Sequence, residues 1–136
     1  MKIAIDAHGG DNAPLEIIKG CRLAVDELGA DIILVGKQDE IKKIMAENSI
    51  DSNGIEIYNA EDTITMEDDP TAVIKTKKES SMAVAFKLLK DGVCDAFVSA
   101  GNTGAVLVGA TMIVKRIKGV KRAALAAVIP SETGPI

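Results

Sequence analysis

Asp31-Ile32-Ile33-Leu34-Val35-Gly36 places four aliphatic side chains in succession. A strand with one wet face alternates apolar and polar residues, so an unbroken run of this length reads as a strand covered on both faces, the habit of parallel sheets. Gln38 to Glu47 follows with Ile41, Ile44 and Met45 at helical spacing, and this makes a strand-to-helix unit. Upstream, Lys2 to Asp6 reads as a short strand. The stretch from Pro14 to Leu28 reads as a helix opened by proline and stopped at Gly29, with Ile17 or Ile18, Cys21, Val25 and Leu28 on its apolar face.

Downstream the alternation continues. Ile55 to Tyr58 reads as a third strand, Asn59 to Asp69 as an acidic irregular stretch, and Pro70 opens a short helix ending near Lys78. Ser80 or Ser81 caps the next helix, whose stripe is Met82, Ala85, Phe86 and Leu89 and whose end is Gly92. A strand over Asp95 to Ser99, a helix from Thr103 to about Lys115 and a last strand over Ala124 to Ile129 complete the pattern. The expected fold is α/β, a single domain over residues 1–136 with a mostly parallel sheet and helices on both faces.

Composition agrees and narrows the function. Apolar residues make up 47% of the chain but aromatics only 2%, so the core is aliphatic. A net charge of −4 and the lack of stacking aromatics argue against a nucleic-acid partner. No apolar run nears the roughly 20 residues of a membrane helix, and Met1-Lys2-Ile3-Ala4-Ile5-Asp6 leads straight into a strand, which predicts a cytoplasmic protein. Cys21 and Cys94 lack the spacing of a zinc or redox pair and read as reduced core residues.

Ligands of parallel α/β sheets sit beyond the carboxyl ends of the strands, where two glycine-rich loops fall. In Ser99-Ala100-Gly101-Asn102-Thr103-Gly104, glycines permit close backbone approach while Asn102, Thr103 and the free N–H groups of the next helix offer donors for an anion. Ala7-His8-Gly9-Gly10-Asp11-Asn12-Ala13-Pro14 is the second loop, expected to face the same site. His8, the single histidine, is weighed as a general base. Asp6 and Asp11 are too few for a metal site, so no metal is expected. Lys75, Lys77 and Lys78 precede Ser80 and Ser81, where ammonium and hydroxyl groups meet an oxyanion or merely end a helix. Lys115 to Arg122 forms a basic island, read as a solvated helix end or as a surface for an acidic partner or anionic lipid. No G-x-G-x-x-G, Walker-type or G-x-S-x-G motif is present, which argues against a dinucleotide, nucleotide triphosphate or serine-triad enzyme.

Four segments together, Ile5 to Pro14, Lys77 to Met82, Val98 to Ala105 and Ala124 to Pro130, resemble the PlsX family of bacterial phosphate acyltransferases. The resemblance spans the chain and implies transfer of a fatty acyl group from acyl carrier protein to inorganic phosphate, giving acyl phosphate for phospholipid synthesis. It implies no cofactor, a homodimer, and an α/β/α sandwich like those of isopropylmalate dehydrogenases and phosphate acetyltransferases, with possible peripheral contact at the inner membrane surface. By position, Gly9, Gly10, Asp11 and Asn12 match the first signature loop, Ser99, Gly101, Asn102, Thr103 and Gly104 the second, and Lys78, Ser80 and Ser81 the third. Phosphate binding is thereby expected at the two loops, and catalytic roles at Asn102, Lys78, Ser80 and Ser81. The family carries Met where His8 stands, which weakens a catalytic reading of His8. Family members are more than twice as long, so the chain reads as an N-terminal portion, expected to be unstable or inactive alone. A coenzyme A-dependent transacylase of the same fold and a non-catalytic phosphate-binding module are the alternatives.

Overall fold

A computed structural model describes residues 1–128. Its strands are β1 (Lys2–Asp6), β2 (Asp31–Gly36), β3 (Ile55–Asn59) and β4 (Ala96–Val98), and its helices α1 (Leu15–Leu28), α2 (Gln38–Glu47), α3 (Ser81–Lys90) and α4 (Thr103–Gly109). The four strands form one parallel sheet in the order β3-β2-β1-β4, with Ile3 paired to both Ile32 and Ala96.

Alternation along β2 sorts the layers. Ile32 and Leu34 pack with Ile18, Cys21 and Ile41 of α1 and α2, while Ile33 and Val35 pack with Val84, Ala85 and Leu88 of α3. The unbroken apolar run is thus covered on both faces, and the molecule has three layers. α4 lies against α3 and the 3₁₀ turn Pro70–Val73 in a third apolar cluster that includes Met82, Phe86 and Ala105. Contact there is close because Gly109 has no side chain: a Cβ at that position would overlap the Phe86 ring. Phe86 is itself fully buried, and the helix continues beyond Gly109 as a π-helical turn, Ala110–Val114.

Two expected elements differ. The helix expected from Pro70 to Lys78 shrinks to Pro70–Val73, because the N–H groups of Lys75, Thr76 and Lys77 all turn back to Ala72 O and close the helix. The strand expected over Ala124–Ile129 does not form in its described part. Residues 124–128 are exposed and lie outside the sheet, although among the described residues β4 leaves its outer edge open: local apolar character alone does not pair a strand. Ile129, and the Pro130 that followed it, lie outside the described residues.

Candidate active site

The carboxyl end of β1 is Asp6, a carboxylate only 2% exposed. A buried carboxylate needs donors on both oxygens, and three segments supply them. Ser81 Oγ donates to Oδ1 at 2.6 Å, the His8 backbone N–H donates to the same oxygen at 3.2 Å, and Ser99 Oγ donates to Oδ2 at 2.8 Å. Ser99 Oγ in turn accepts the N–H of Gly101 at 3.1 Å. Asp6 therefore ties the loop after β1, the start of α3 and the loop after β4 into one network.

Glycine lets the two loops meet. A Cβ at Gly9 would lie 2.6 Å from Ser99 Oγ and 2.7 Å from Asp6 Oδ2, and one at Gly101 would lie 3.1 Å from Gly9 Cα. Beside this junction is a cleft of about 220 Å³ walled by His8, Gly10, Asp11, Gly101 and the Thr63–Glu67 segment. The acidic irregular stretch is in part a wall of this cleft. It is held there by Asn102, whose Nδ2 donates to Thr65 O and Asp68 O, and by Lys77, whose Nζ donates to Thr63 O and Asp68 Oδ2. The Lys77 ammonium, with the Thr65 N–H, holds the Asp68 carboxyl below its ordinary range.

The expected site residues separate into groups. Gly9, Gly10, Asp11, Ser99 and Gly101 gather at the cleft and its Asp6 support. Thr103 and Gly104 open α4, and among the described residues their N–H groups have no protein acceptor. Asn102 is nearly buried and its side chain is occupied: Oδ1 caps α4 by accepting from Ala105 N, while Nδ2 makes the two bonds above. Asn12 is exposed, with its carbonyl accepting from Glu16 N. Ser80 is fully buried as the cap of α3, donating to Lys77 O and accepting from Ala83 N, and Ser81 spends its hydroxyl on Asp6. Lys78 is exposed and stands apart, in a different groove beside α3.

His8 has a positioning role. Its Nε2 accepts the Lys37 N–H at 3.1 Å, which requires a neutral ring with the proton on Nδ1. Burial holds its pKa below the usual value although Glu40 and Asp6 pull it up. The ring sits so close to Gly36 that a Cβ there would lie 2.7 Å from it, so the loop after β2 joins the other two. The sequence marked Asp6, with Asp11, as able to orient donors or a cation; which donors it takes, Ser81 and Ser99, is set by the fold.

A parallel α/β layer with glycine loops meeting over a buried carboxylate at the carboxyl end of its sheet defines the class: an α/β protein with a small polar cleft at its strand ends. The family described as fatty acid synthesis protein matches residues 1–136. The chain belongs to this family, the PlsX family. A phosphate acyltransferase of Acetivibrio thermocellus is 50% identical over 135 residues, covering 98% of this chain and 40% of that protein. Those of Dictyoglomus thermophilum and Desulforamulus reducens are 48% and 45% identical, again over 40% of their own length. The chain thus spans about 40% of the length of the curated relatives it matches.

Proposed function

We propose that this chain carries the phosphate-handling part of an acyltransferase that moves a fatty acyl group from acyl carrier protein to inorganic phosphate, yielding acyl phosphate for phospholipid synthesis. The observation that carries the reading is the meeting of both glycine loops at Asp6, beside a cleft, in a chain whose relatives are named phosphate acyltransferases. Phosphate needs no activation by a covalent enzyme intermediate. One of its oxygens attacks the thioester carbonyl, a tetrahedral oxyanion forms, and the C–S bond then breaks with the thiolate leaving and taking up a proton.

In this reading the backbone N–H groups of Thr103 and Gly104 at the start of α4 and of Gly10 hold the phosphate and the oxyanion, while those of Gly9 and Gly101 brace the loops. Ser99 stands between them, and Asp6 fixes their geometry. Asn102 acts by pinning the Thr65–Asp68 wall and capping α4. Asp11 and Glu67 line the cleft and, among the described residues, no lysine or arginine does, so binding there leans on oriented N–H dipoles. The family reading extends to a homodimer and to peripheral contact with the membrane. Among the described residues no helix is long and apolar enough to cross one.

The test is ³¹P NMR of acyl phosphate formed from acyl carrier protein thioester and phosphate, by this chain joined to the remaining portion of the Acetivibrio thermocellus relative. Wild type is expected to form it. Asp6→Asn, which keeps the shape but replaces one acceptor oxygen by a donor, is expected to lower kcat at least about tenfold. Unchanged turnover in Asp6→Asn would remove the loop junction from the reaction. Substituting coenzyme A thioester in the same assay decides which thioester is the donor.

A further inference from the structure

Charge is sorted along the chain. Residues 1–69 hold 6 Lys and Arg against 16 Asp and Glu, whereas residues 70–128 hold 10 against 3. The first segment supplies α1 and α2 on one side of the sheet and also the acidic 60–69 stretch, whose Ala60 and Ile64 pack on the other side, where the second segment supplies α3, α4 and the Ala110–Val114 turn. An overall charge of −4 conceals a strongly basic segment, and the side of the sheet it builds is basic away from the 61–69 stretch.

That face has a concave apolar feature. A groove of about 310 Å³ runs between α3 and the Ala110–Val114 turn, with Val73, Ile74 and Met112 among its apolar lining and Lys78, Lys87 and Lys90 among its polar one. Met112 is 60% exposed there. Among the described residues only Lys87 of the three has a carboxylate partner, Glu79 at 2.9 Å. The basic island Lys115–Arg122 continues the same sign beyond the turn, and no acidic residue occurs between Asp95 and Val128.

We propose that this groove docks an amphipathic helix of an acidic protein partner, apolar side chains in the trough and carboxylates against the lysines. An apolar trough rimmed with one sign of charge suits helix-in-groove recognition, in which anchors at helical spacing enter the groove and flanking charges set the orientation. Concavity favours a helix over a membrane, because a flat lipid surface leaves the floor of a groove unfilled. The inference rests on the proposed reaction and deepens it. A protein that presents a thioester must be held while the thioester reaches the cleft, and α3 connects the two places: its first residue, Ser81, is bonded to Asp6, and its last turn carries Lys87 and Lys90.

The experiment titrates fluorescently labelled acyl carrier protein, by anisotropy at low and physiological salt, into the same joined protein, this chain with the remaining portion of the Acetivibrio thermocellus relative. Phosphatidylglycerol vesicles are titrated in parallel. Wild type is expected to bind the carrier with an affinity that falls as salt rises, and the double variant Lys87→Glu/Lys90→Glu to bind at least about tenfold more weakly with a flatter salt dependence. Both lysines are exposed, and Met112→Ser, which leaves the charges untouched, is expected to weaken binding as well. Failure of wild type to bind, or affinity unaltered in both variants, overturns the proposal. So does a double variant that loses vesicle binding while keeping the carrier. Turnover of a small soluble acyl thioester separates this outcome from the proposed function. If acyl phosphate forms from the small thioester while carrier affinity ignores the lysines, only the docking surface fails. If neither thioester yields acyl phosphate, the reaction fails and the titration still judges the groove.

Discussion

His8 shows how much one side chain can depend on its protonation state. Its ring accepts the Lys37 N–H, and its backbone N–H serves Asp6, so the loop after β1 is fastened at both ends of the same residue. Because burial lowers the pKa in the fold, the unfolded chain binds a proton at higher pH than the native one. The contribution of His8 to stability is therefore complete above the ordinary histidine value of about 6.5 and is lost as pH falls through the lowered folded value. Protonation also ends acceptance from Lys37. Urea midpoints measured from about pH 7.5 down to pH 5 are expected to fall for wild type more steeply than for His8→Gln. Parallel curves would show that the imidazole is solvated and free.

Among elements, the contact of α4 with α3 is the most exacting. Gly109 lies under the Phe86 ring, which also packs on Phe97 with centroids 4.6 Å apart. Gly109→Ala is expected to cost about 1–3 kcal/mol by overpacking, despite the better helix propensity of alanine. Adding Phe86→Leu makes room for the methyl group, so the double variant is expected to lose less than the sum of the two singles by at least about 0.5 kcal/mol. Strict additivity in denaturant unfolding would place the helices further apart than described. The start of α3 is equally determined: the Ser80 cap and the Ser81 bond to Asp6 serve neighbouring residues of one turn, and this is why the sequence left the capping serine open between them.

At the scale of the molecule, the two cysteines report on opposite layers. Cys21 belongs to the α1 and α2 side and Cys94 to the α3 side. Burial pushes the Cys21 thiol up to about 11 and raises that of Cys94 as well, so neither is reactive in the native state at neutral pH. Iodoacetamide labelling at each site, read by mass spectrometry, is expected to be on the order of 100-fold slower natively than in urea. If the sheet and both layers melt together, both sites become reactive at the same urea concentration. Labelling of one cysteine well before the other would mean that the layers open separately.

Element order was legible because it is local. A doubly apolar run such as Ile32–Val35, or Ile41 and Met45 at helical spacing, carries its own period, and β1, β2 and α2 fall on the expected residues. The family membership was legible for the same reason, since its signature segments are short and contiguous. Tertiary structure alone decided the rest. Asp6 meets Ser81 and Ser99 across 75 and 93 positions, Asn102 clamps a loop some 35 residues away, and Lys78 lies in another groove although its neighbours Ser80 and Ser81 are buried. No periodicity encodes such pairings. They arise when the sheet brings its strand ends together, and the strand expected over Ala124 to Ile129 shows the converse in its described part: an apolar run stays outside the sheet although among the described residues β4 offers an open edge, because pairing is decided by tertiary context and not by local composition.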